Sequence, residues 1–194
     1  MRARGAVACF VTPHGFGHAA RAAAVLAALR ERAPGLPVHL FTTVPRWFFA
    51  DSLGASFTLH PVVSDVGLVQ PDPLTEDLPA TVARLRAVYP PEPALLERLA
   101  QAMRRARCRL VLCDISPLGI AVARAAGLPS VLLENFTWDW IYRGYQRREP
   151  RLAPAAARLA VLGAQADLHV QATPVCRPSA AAVRVGPIGR RPRA

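Results

Sequence analysis

Short apolar runs alternate along this chain with longer segments in which apolar residues recur three or four positions apart. The runs predict buried strands, and the periodic segments predict amphipathic helices. The predicted strands cover residues 6–12, 38–43, 56–62, 110–113, 130–134 and 168–171, with a short strand-like piece at 182–185. The predicted helices cover residues 19–32, 80–88, 94–107, 118–126, 138–146 and 155–164, with a short helix or turn at 46–52.

This order of elements predicts one α/β domain with a doubly wound, Rossmann-like parallel sheet that helices cover on both faces. No internal repeat interrupts the alternation. In such a sheet, ligands bind at the carboxyl ends of the strands, near the point where the strand order reverses. Functional residues are therefore expected in the loops that follow the strands, at residues 13–18, 44–46, 63–72, 114–117 and 135–139.

The composition excludes several other classes of protein. The chain has 194 residues, 52% apolar and 19% charged, which suits one domain and excludes a disordered chain or a coiled coil. No apolar run reaches the roughly 18 residues of a membrane helix, and Pro13 and Gly15 cut the first run short of a signal peptide's core. The four cysteines form no C-x-x-C pair, so neither a disulfide framework nor a zinc finger is predicted. The expected location is the cytoplasm.

The positive charge is large but unevenly distributed. All 24 basic residues are arginine, against 13 acids, so the net charge is +11. From Ile141 onward, ten arginines face two acids, a local net charge of +8. Basic charge without a motif that reads bases does not predict a specific nucleic-acid partner. Attraction to an anionic substrate, or peripheral contact with an anionic membrane, is left open.

The first loop carries two glycines, Gly15 and Gly17, just before a predicted helix. Glycines let the backbone approach a ligand, and a helix start offers free N–H groups to a phosphate. With a small residue three positions later, they match a relaxed dinucleotide-binding fingerprint, so a dinucleotide-binding Rossmann protein is one hypothesis. Two observations argue against dinucleotide binding. The second predicted strand ends at residues 41–43 without the acidic residue that would bind the ribose, although Arg46 is placed to bind a 2′-phosphate. His18 is also bulky for a pyrophosphate site.

Two histidines of the same loop, His14 and His18, are four positions apart. That spacing suits a metal ion only on a helix, and the Gly-Phe-Gly between them is not expected to be helical. No Glu completes a zinc-protease pattern, so no metal site is predicted. An isolated histidine at this place would be a capping or solvated residue.

Asp114 changes this interpretation of His18. It ends the strand predicted at 110–113, so its carboxylate is expected at the same edge of the sheet as His18. A carboxylate within hydrogen-bond reach fixes the tautomer of an imidazole and stabilises its protonated form, which makes a general base for a hydroxyl. The alternative role of Asp114 is to cap the next helix, and the two roles are compatible.

Four blocks of residues resemble a GT-B glycosyltransferase-like family that includes the N-terminal region of plant L-arabinokinase and its bacterial relatives. The blocks are residues 14–18 (HGFGH) with Arg21, residues 65–75 (DVGLVQPDPLT), Asp114 with Pro117, and residues 135–142 (NFTWDWIY). They occur in the family's order between residues 6 and 146.

The resemblance implies the N-terminal, acceptor-side half of a GT-B architecture. It implies that His18, assisted by Asp114, removes the proton of an acceptor hydroxyl, and that a sugar is transferred from a nucleotide sugar with inversion of configuration. The nucleotide sugar is then a co-substrate, and no other cofactor is implied. The candidate substrate-binding residues are Gly15, Gly17, Arg21, Asp65, Gln70, Asn135, Trp138 and Asp139.

Some of these residues have competing roles. For Trp138, packing of a helix on the sheet is the favoured role. Arg21 suits an anionic ligand and a neighbouring carboxylate equally well. The run Trp47-Phe48-Phe49 is predicted to be core, and an exposed cluster there would instead indicate a lipid-facing patch.

The chain also departs from the family, because the donor-binding half of a GT-B enzyme is missing. Residues 1–188 are expected to form the domain, and residues 189–194 a basic tail at the start of a missing linker or second domain. The phosphate loop of a sugar kinase is absent, so kinase activity is not implied. The sequence therefore predicts the acceptor side of a glycosyltransferase that needs a second domain. The alternatives are a non-catalytic binding module or truncated remnant, so enzyme activity of the chain alone is left open.

Overall fold

The structure is a computed structural model that describes residues 5–190. Within that range, seven strands form one sheet. The strands are β1 (Ala6–Val11), β2 (Val38–Phe41), β3 (Thr58–His60), β4 (Cys108–Asp114), β5 (Ser130–Glu134), β6 (Leu168–Ala172) and β7 (Val183–Val185). They lie in the order β3-β2-β1-β4-β5-β6-β7, and every neighbouring pair is parallel.

Helices connect the strands and cover the sheet. They are α1 (Phe16–Arg32), α2 (Arg46–Leu53), α3 (Leu78–Val88), α4 (Pro93–Arg105), α5 (Pro117–Ala126), α6 (Trp138–Tyr145) and α7 (Ala153–Gly163). A short 3-10 turn, Pro150–Leu152, precedes α7. The prediction of a doubly wound α/β fold with a parallel sheet is confirmed.

The strand order reverses at the centre of the sheet. From β1 the chain adds β2 and β3 on one side, then crosses back and adds β4 to β7 on the other. The two central strands end together, with Val11 of β1 in register with Asp114 of β4. The loops after β1 and β4 therefore lie on either side of the crevice in which doubly wound sheets bind ligands.

Alternate residues of β1 fill two apolar layers, one on each face of the sheet. All six residues of β1 are buried. Val7, Cys9 and Val11 contribute to the layer under α1 and α2, whereas Ala8 and Phe10 contribute to the layer under α4 and α5. Because both faces are covered, the strand is apolar at every position. A third apolar cluster lies where α3, α6 and α7 pack together.

Two local predictions are wrong. Helix α1 begins at Phe16, so the Gly-Phe-Gly expected to be irregular contributes its last two residues to the first helical turn. Gly15 has a φ of 88°, a left-handed conformation that glycine adopts without strain, and this sharp turn starts the helix early.

The second wrong prediction concerns Trp47. It was predicted to be core but is 62% exposed, whereas Phe48 and Phe49 are buried. Neighbouring residues of a helix point to different sides, so α2 buries two rings of the run and exposes one.

The long loop between β3 and α3 is irregular, as predicted, but its first part is fixed to the central strands. The hydroxyl of Ser64 donates to the carbonyl oxygen of Val11 at 2.8 Å. The hydroxyl of Ser116 donates to the carbonyl oxygen of Ser64 at 3.1 Å. These two hydrogen bonds hold the next residue, Asp65, at the carboxyl ends of β1 and β4.

None of the described helices combines the length and the apolar composition needed to cross a membrane. The predicted domain boundary after residue 188 stays a prediction. Residues 191–194 of the predicted basic tail lie outside the described residues.

Gly119 allows α5 to lie close to the sheet. An ideal Cβ at this position would lie 2.8 Å from Cβ of Phe10 and 2.7 Å from Sγ of Cys113. Gly119→Ala is expected to lower the free energy of unfolding by about 1–3 kcal/mol, the usual cost of overpacking a core. Urea unfolding measures this, with Gly144→Ala in α6 as the control, because a Cβ there would meet nothing within 4 Å. Equal stability of the two variants would contradict the packing argument.

Candidate active site

Four polar side chains meet at the carboxyl ends of the central strands. Nδ1 of His18 lies 3.2 Å from Oδ1 of Asp114. The Arg21 guanidinium donates to both carboxylate oxygens of Asp114, from Nη2 at 2.7 Å and from Nε at 2.8 Å. Its Nη1 donates to Oδ1 of Asn135 at 2.7 Å. The predicted proximity of His18 and Asp114 is confirmed, and two further predicted site residues, Arg21 and Asn135, join the same network.

The local sequence explains how these side chains reach one another. His18 and Arg21 are three positions apart in α1, so they lie on the same face of the helix. Asp114 is the last residue of β4 and is fully buried. The next residue, Ile115, has a φ of 56°, a left-handed conformation that is rare for a β-branched residue, and its burial holds this sharp turn in place.

The alternative role of Asp114, capping the next helix, is wrong. The N-cap of α5 is Ser116, whose hydroxyl accepts a hydrogen bond from the Gly119 N–H at 3.4 Å. A serine cap satisfies one free N–H of the first turn without using the strand's carboxylate. Both oxygens of Asp114 are therefore left to bind residues of α1.

The contact with Asp114 assigns the tautomer of His18. As a carboxylate paired with an arginine, Asp114 offers only acceptors, so the His18 Nδ1 that faces it carries the proton. Nε2 then keeps its lone pair. The His18 side chain is 12% exposed, and a neutral imidazole in this tautomer is a base for a hydroxyl group brought to Nε2.

Arg21 compensates the charge of Asp114. The guanidinium is buried, and its planar set of donors matches both oxygens of a carboxylate. Nη2 and Nδ1 of His18 both contact Oδ1 of Asp114, so guanidinium and imidazole share one carboxylate oxygen. The main effect of Asp114 on a neutral His18 is therefore to fix the tautomer and the ring orientation. Of the two predicted roles of Arg21, the structure shows binding of a neighbouring carboxylate, and a role toward substrate stays a prediction.

A second buried carboxylate, Asp65, lies at the same edge of the sheet. The Thr12 hydroxyl donates to its Oδ1 at 2.7 Å, and Nε1 of Trp138 donates to its Oδ2 at 2.9 Å. Asp65 and Trp138 are each 3% exposed, so neither presents an open surface to a ligand. The packing role of Trp138 is the one that the structure shows, because its ring also stacks on Tyr142.

Asp114 is in direct contact with the Arg21 guanidinium. Asp65, in contrast, has no cationic side chain in direct contact among the described residues. Burial raises the pKa of Asp65 to about 6, and the charge of Asp114 acts in the same direction. The hydrogen bonds from Thr12 and Trp138 partly oppose this rise, and so does the positive charge that His18 carries when it is protonated. Asp65 therefore changes its charge a little below neutral pH.

His14 lies beside Trp138 and Gly67. Its ring is edge-on to the Trp138 ring, with centroids 5.1 Å apart. A Cβ on Gly67 would lie 2.6 Å from Nδ1 of His14, and Gly67 has a φ of 64°, so both the contact and the backbone require glycine. Burial lowers the pKa of His14, and the charge that His18 carries when protonated acts in the same direction, so His14 is neutral at neutral pH. Among the described residues, no group of three or more His, Cys, Asp or Glu is placed to hold a metal ion.

The remaining predicted site residues lie around this centre. Gly15 and Gly17 border open surface, because a Cβ at either would meet nothing within 4 Å. Gln70 is exposed in the long loop. Asp139 is buried and lies 3.5 Å from the guanidinium groups of both Arg143 and Arg177. The roles of these four residues toward a substrate stay predictions.

Two residues of the site, Thr12 and Phe136, were not among the predicted site residues. Thr12 binds Asp65, and the ring of Phe136 lies edge-on to His18, with centroids 5.6 Å apart. The signal available in the sequence is their position. Thr12 is a polar residue that closes an otherwise apolar run, and Phe136 directly follows Asn135.

Comparisons with known proteins give one relative by sequence and several by structure. No protein-family model matches the chain. The chain is 34% identical over 140 residues to L-arabinokinase of Arabidopsis thaliana, and the match covers 71% of this chain and 13% of that protein. This confirms the resemblance to L-arabinokinase and shows that the chain spans only a small part of that relative.

Solved glycosyltransferase structures share the fold. LpCGTa in complex with UDP has a TM-score of 0.58 and 15% identity, over 96% of this chain and 53% of that chain. UGT2 of Phytolacca americana, complexed with UDP-2fluoro-glucose and pterostilbene, has a TM-score of 0.55 and 17% identity, over 97% and 55%. MurG of Acinetobacter baumannii has a TM-score of 0.51 and 16% identity, over 97% and 47%. The likeness at these identities is one of fold, to about half of a GT-B glycosyltransferase.

Loss of Arg21 is expected to destabilise the chain, because Asp114 would stay buried without a partner. Arg21→Met should lower the free energy of unfolding by about 3–5 kcal/mol in urea unfolding. Arg148→Met, which removes an exposed ion pair with Glu76, should have little effect. The double variant Arg21→Met, Asp114→Leu should recover much of the loss, since no unpaired charge remains. A double variant less stable than Arg21→Met alone would refute this explanation.

Asp65 is expected to make stability depend on pH. Its pKa is raised from 3.8 to about 6 by folding, so the folded chain binds this proton more tightly than the unfolded chain. Stability is then lost as the pH rises from 4 through 6. The free energy of unfolding of the wild type minus that of Asp65→Asn should fall by about 2–3 kcal/mol between pH 4 and pH 7.

Urea unfolding at the two pH values measures this difference. Asp72→Asn, in the same loop, is the control, because hydrogen bonds to the Leu74 backbone and to Thr75 lower the pKa of Asp72 and no such fall is expected. A difference between wild type and Asp65→Asn that does not change with pH would contradict the assignment.

Proposed function

We propose that this chain is the acceptor-side half of an inverting GT-B glycosyltransferase in which His18 is the general base. The 3.2 Å contact between Nδ1 of His18 and Asp114 carries the proposal. It lies at the reversal point of a sheet whose fold matches that of glycosyltransferases. An imidazole with a fixed tautomer and a free lone pair at such a crevice suits the removal of a hydroxyl proton.

The proposed reaction begins with an acceptor hydroxyl at Nε2 of His18. As the hydroxyl oxygen bonds to the anomeric carbon of the nucleotide sugar, its proton moves to Nε2. The bond between the anomeric carbon and the diphosphate oxygen breaks on the opposite side, and the nucleoside diphosphate leaves with the bonding electron pair. Attack opposite the leaving group inverts the configuration. The imidazolium that forms keeps its Nδ1–H donated to Asp114.

The other residues of the network have positioning roles in this proposal. Arg21 binds both oxygens of Asp114 and so sets the orientation of the carboxylate. Asn135 accepts from a further N–H of the same guanidinium and fixes it to the loop after β5. Gly15 and Gly17 leave bare backbone on which the acceptor lies beside His18.

A second domain or chain completes the enzyme in this proposal. The chain covers 47 to 55% of the three similar glycosyltransferase structures. Two of these structures contain UDP or a UDP sugar, which supports a nucleotide sugar as donor. The proposed partners are therefore a hydroxyl-bearing acceptor and a donor bound by the second half.

Replacement of His18 tests the base. His18→Ala in the complete protein, or in the chain combined with its donor-binding half, should reduce sugar transfer from a radiolabelled nucleotide sugar by at least about a hundredfold. His169→Ala is the matched control, because His169 also lies against a buried carboxylate, with Nε2 2.7 Å from Oε1 of Glu134. Circular dichroism should show that both variants are folded.

Normal turnover of the His18→Ala variant would remove this residue from the mechanism.

Calorimetric titration of the chain alone with UDP-glucose tests whether the donor-binding site lies in a separate half of the enzyme. Tight binding without a partner would contradict a donor site in a separate half. A complete protein that binds both substrates without transfer would instead support the alternative of a binding module.

A further inference from the structure

We propose that Asp65 supplies the negative charge that balances His18 when this base takes up a proton. The inference rests on the proposed function and adds a residue to it. Asp65 does not touch the reacting atoms in this proposal. It is a positioning residue that acts on His18 through its charge, whereas Asp114 contacts the imidazole ring directly.

The charge of Asp114 is not available for this purpose, because Arg21 already balances it. The guanidinium donates to both carboxylate oxygens, at 2.7 and 2.8 Å, and both groups are buried. His18, Asp114 and Arg21 together carry no net charge while the imidazole is neutral. Once Nε2 of His18 has accepted a proton, they carry a positive charge. A charge in a site with little water is unfavourable unless an opposite charge lies nearby.

Asp65 lies at the ends of the two strands that lead to these residues. Its neighbour Ser64 is hydrogen bonded to Val11, the last residue of β1, and to Ser116, just after β4. The charge of a protonated His18 lowers the pKa of Asp65. Such an effect is mutual, so an ionised Asp65 favours the protonated form of His18 by the same free energy.

The carboxylate of Asp65 has no cation of its own in direct contact among the described residues. It is 3% exposed, and two neutral groups donate to it, the Thr12 hydroxyl at 2.7 Å and the Trp138 indole at 2.9 Å. Water therefore screens its charge only weakly, and the charge acts on the other groups of the site. Burial raises the pKa of Asp65 only to about 6, so the carboxylate is ionised at neutral pH and above.

The other ionisable groups near Asp65 offer it no positive charge to balance. Asp114 repels it, because its charge raises the pKa of Asp65 further. Burial, and after it the charge of Asp65, raises the pKa of Tyr89 and of Tyr142, so both tyrosines are neutral. His14 is neutral at neutral pH, because burial lowers its pKa. The proposed base is thus the group whose charge Asp65 balances.

The sum of charges shows the effect on the proposed reaction. With Asp65 included, the group of His18, Asp114, Arg21 and Asp65 is negative before the proton moves to His18 and neutral afterwards. Without Asp65, the group is neutral before and positive afterwards. The first change is the more favourable one in a site with little water, because the new charge forms near an opposite charge. Asp65 therefore makes His18 a stronger base.

Titration of the histidine side chains by NMR tests the proposal in the isolated chain. In Asp65→Asn, His18 should release its proton at lower pH than in the wild type, which corresponds to proton binding weakened at least about threefold. Asparagine can keep both hydrogen bonds, because its oxygen accepts from Trp138 and its amide donates to the Thr12 hydroxyl. Asp72→Asn is the matched control. It removes an exposed carboxylate of the same loop and should leave the titration of His18 unchanged.

The reciprocal measurement leaves Asp65 in place. In His18→Phe, the side-chain carboxyl carbon of Asp65 should titrate at higher pH than in the wild type, because the charge that lowers its pKa is gone. In the complete protein, Asp65→Asn should lower kcat about tenfold or more at pH 8. The KM for the acceptor should not change, because the counter-charge is needed only once the proton has moved.

Identical titration of His18 in the wild type and in Asp65→Asn would overturn the proposal. An Asp65 titration that is the same in the wild type and in His18→Phe would do so too, with circular dichroism showing that the variants are folded. The two proposals fail separately. Weaker proton binding in Asp65→Asn with normal turnover of His18→Ala would support the counter-charge and refute the proposed base. Loss of turnover in His18→Ala, with unchanged titration and kcat in Asp65→Asn, would refute the counter-charge alone.

Discussion

The site depends on the two hydrogen bonds between Arg21 and Asp114, which join the end of β4 to the first turns of α1. Both groups are buried, so water cannot replace either partner and the pair is stable only in a geometry that satisfies both oxygens. That geometry also fixes His18, which is three residues before Arg21 on the same helical face. The orientation of the proposed base is thus a consequence of charge compensation inside the fold.

Two aspartates at one edge of the sheet show how far the surroundings decide the state of a carboxyl group. Asp114 has a cationic partner in direct contact, whereas Asp65 receives hydrogen bonds from the neutral groups of Thr12 and Trp138. Burial therefore raises the pKa of Asp65 to about 6. His14, with its lowered pKa, is neutral beside them. The crevice combines the ion pair of Arg21 and Asp114 with a carboxyl group, Asp65, that changes its charge a little below neutral pH.

Aromatic rings lie on both sides of the start of α1. Phe136 and Trp138 form the side next to His18 and are packed against other residues of the site. Phe16 and Trp47 lie on the other side, in contact with each other, and both rings are exposed. The sequence predicted packing for Trp138 correctly and for Trp47 incorrectly. Both tryptophans lie near the start of a helix that follows a strand, so their sequence contexts are similar. Their environments differ only because of the neighbours that the fold provides. Trp138 donates to the buried Asp65, whereas Trp47 lies against the exposed Phe16.

Apolar runs and helical periodicity were sufficient to predict the parallel α/β sheet and most of its elements, because strands buried on both faces and helices buried on one have distinct local patterns. The rule that strands of such a sheet end at one edge was sufficient to bring His18 and Asp114 together. The engagement of Arg21 was decided by tertiary structure, and with it the choice of Ser116 over Asp114 as the cap of α5. Asp114 binds His18 and Arg21, which are distant from it in sequence and become its neighbours only when the sheet has formed.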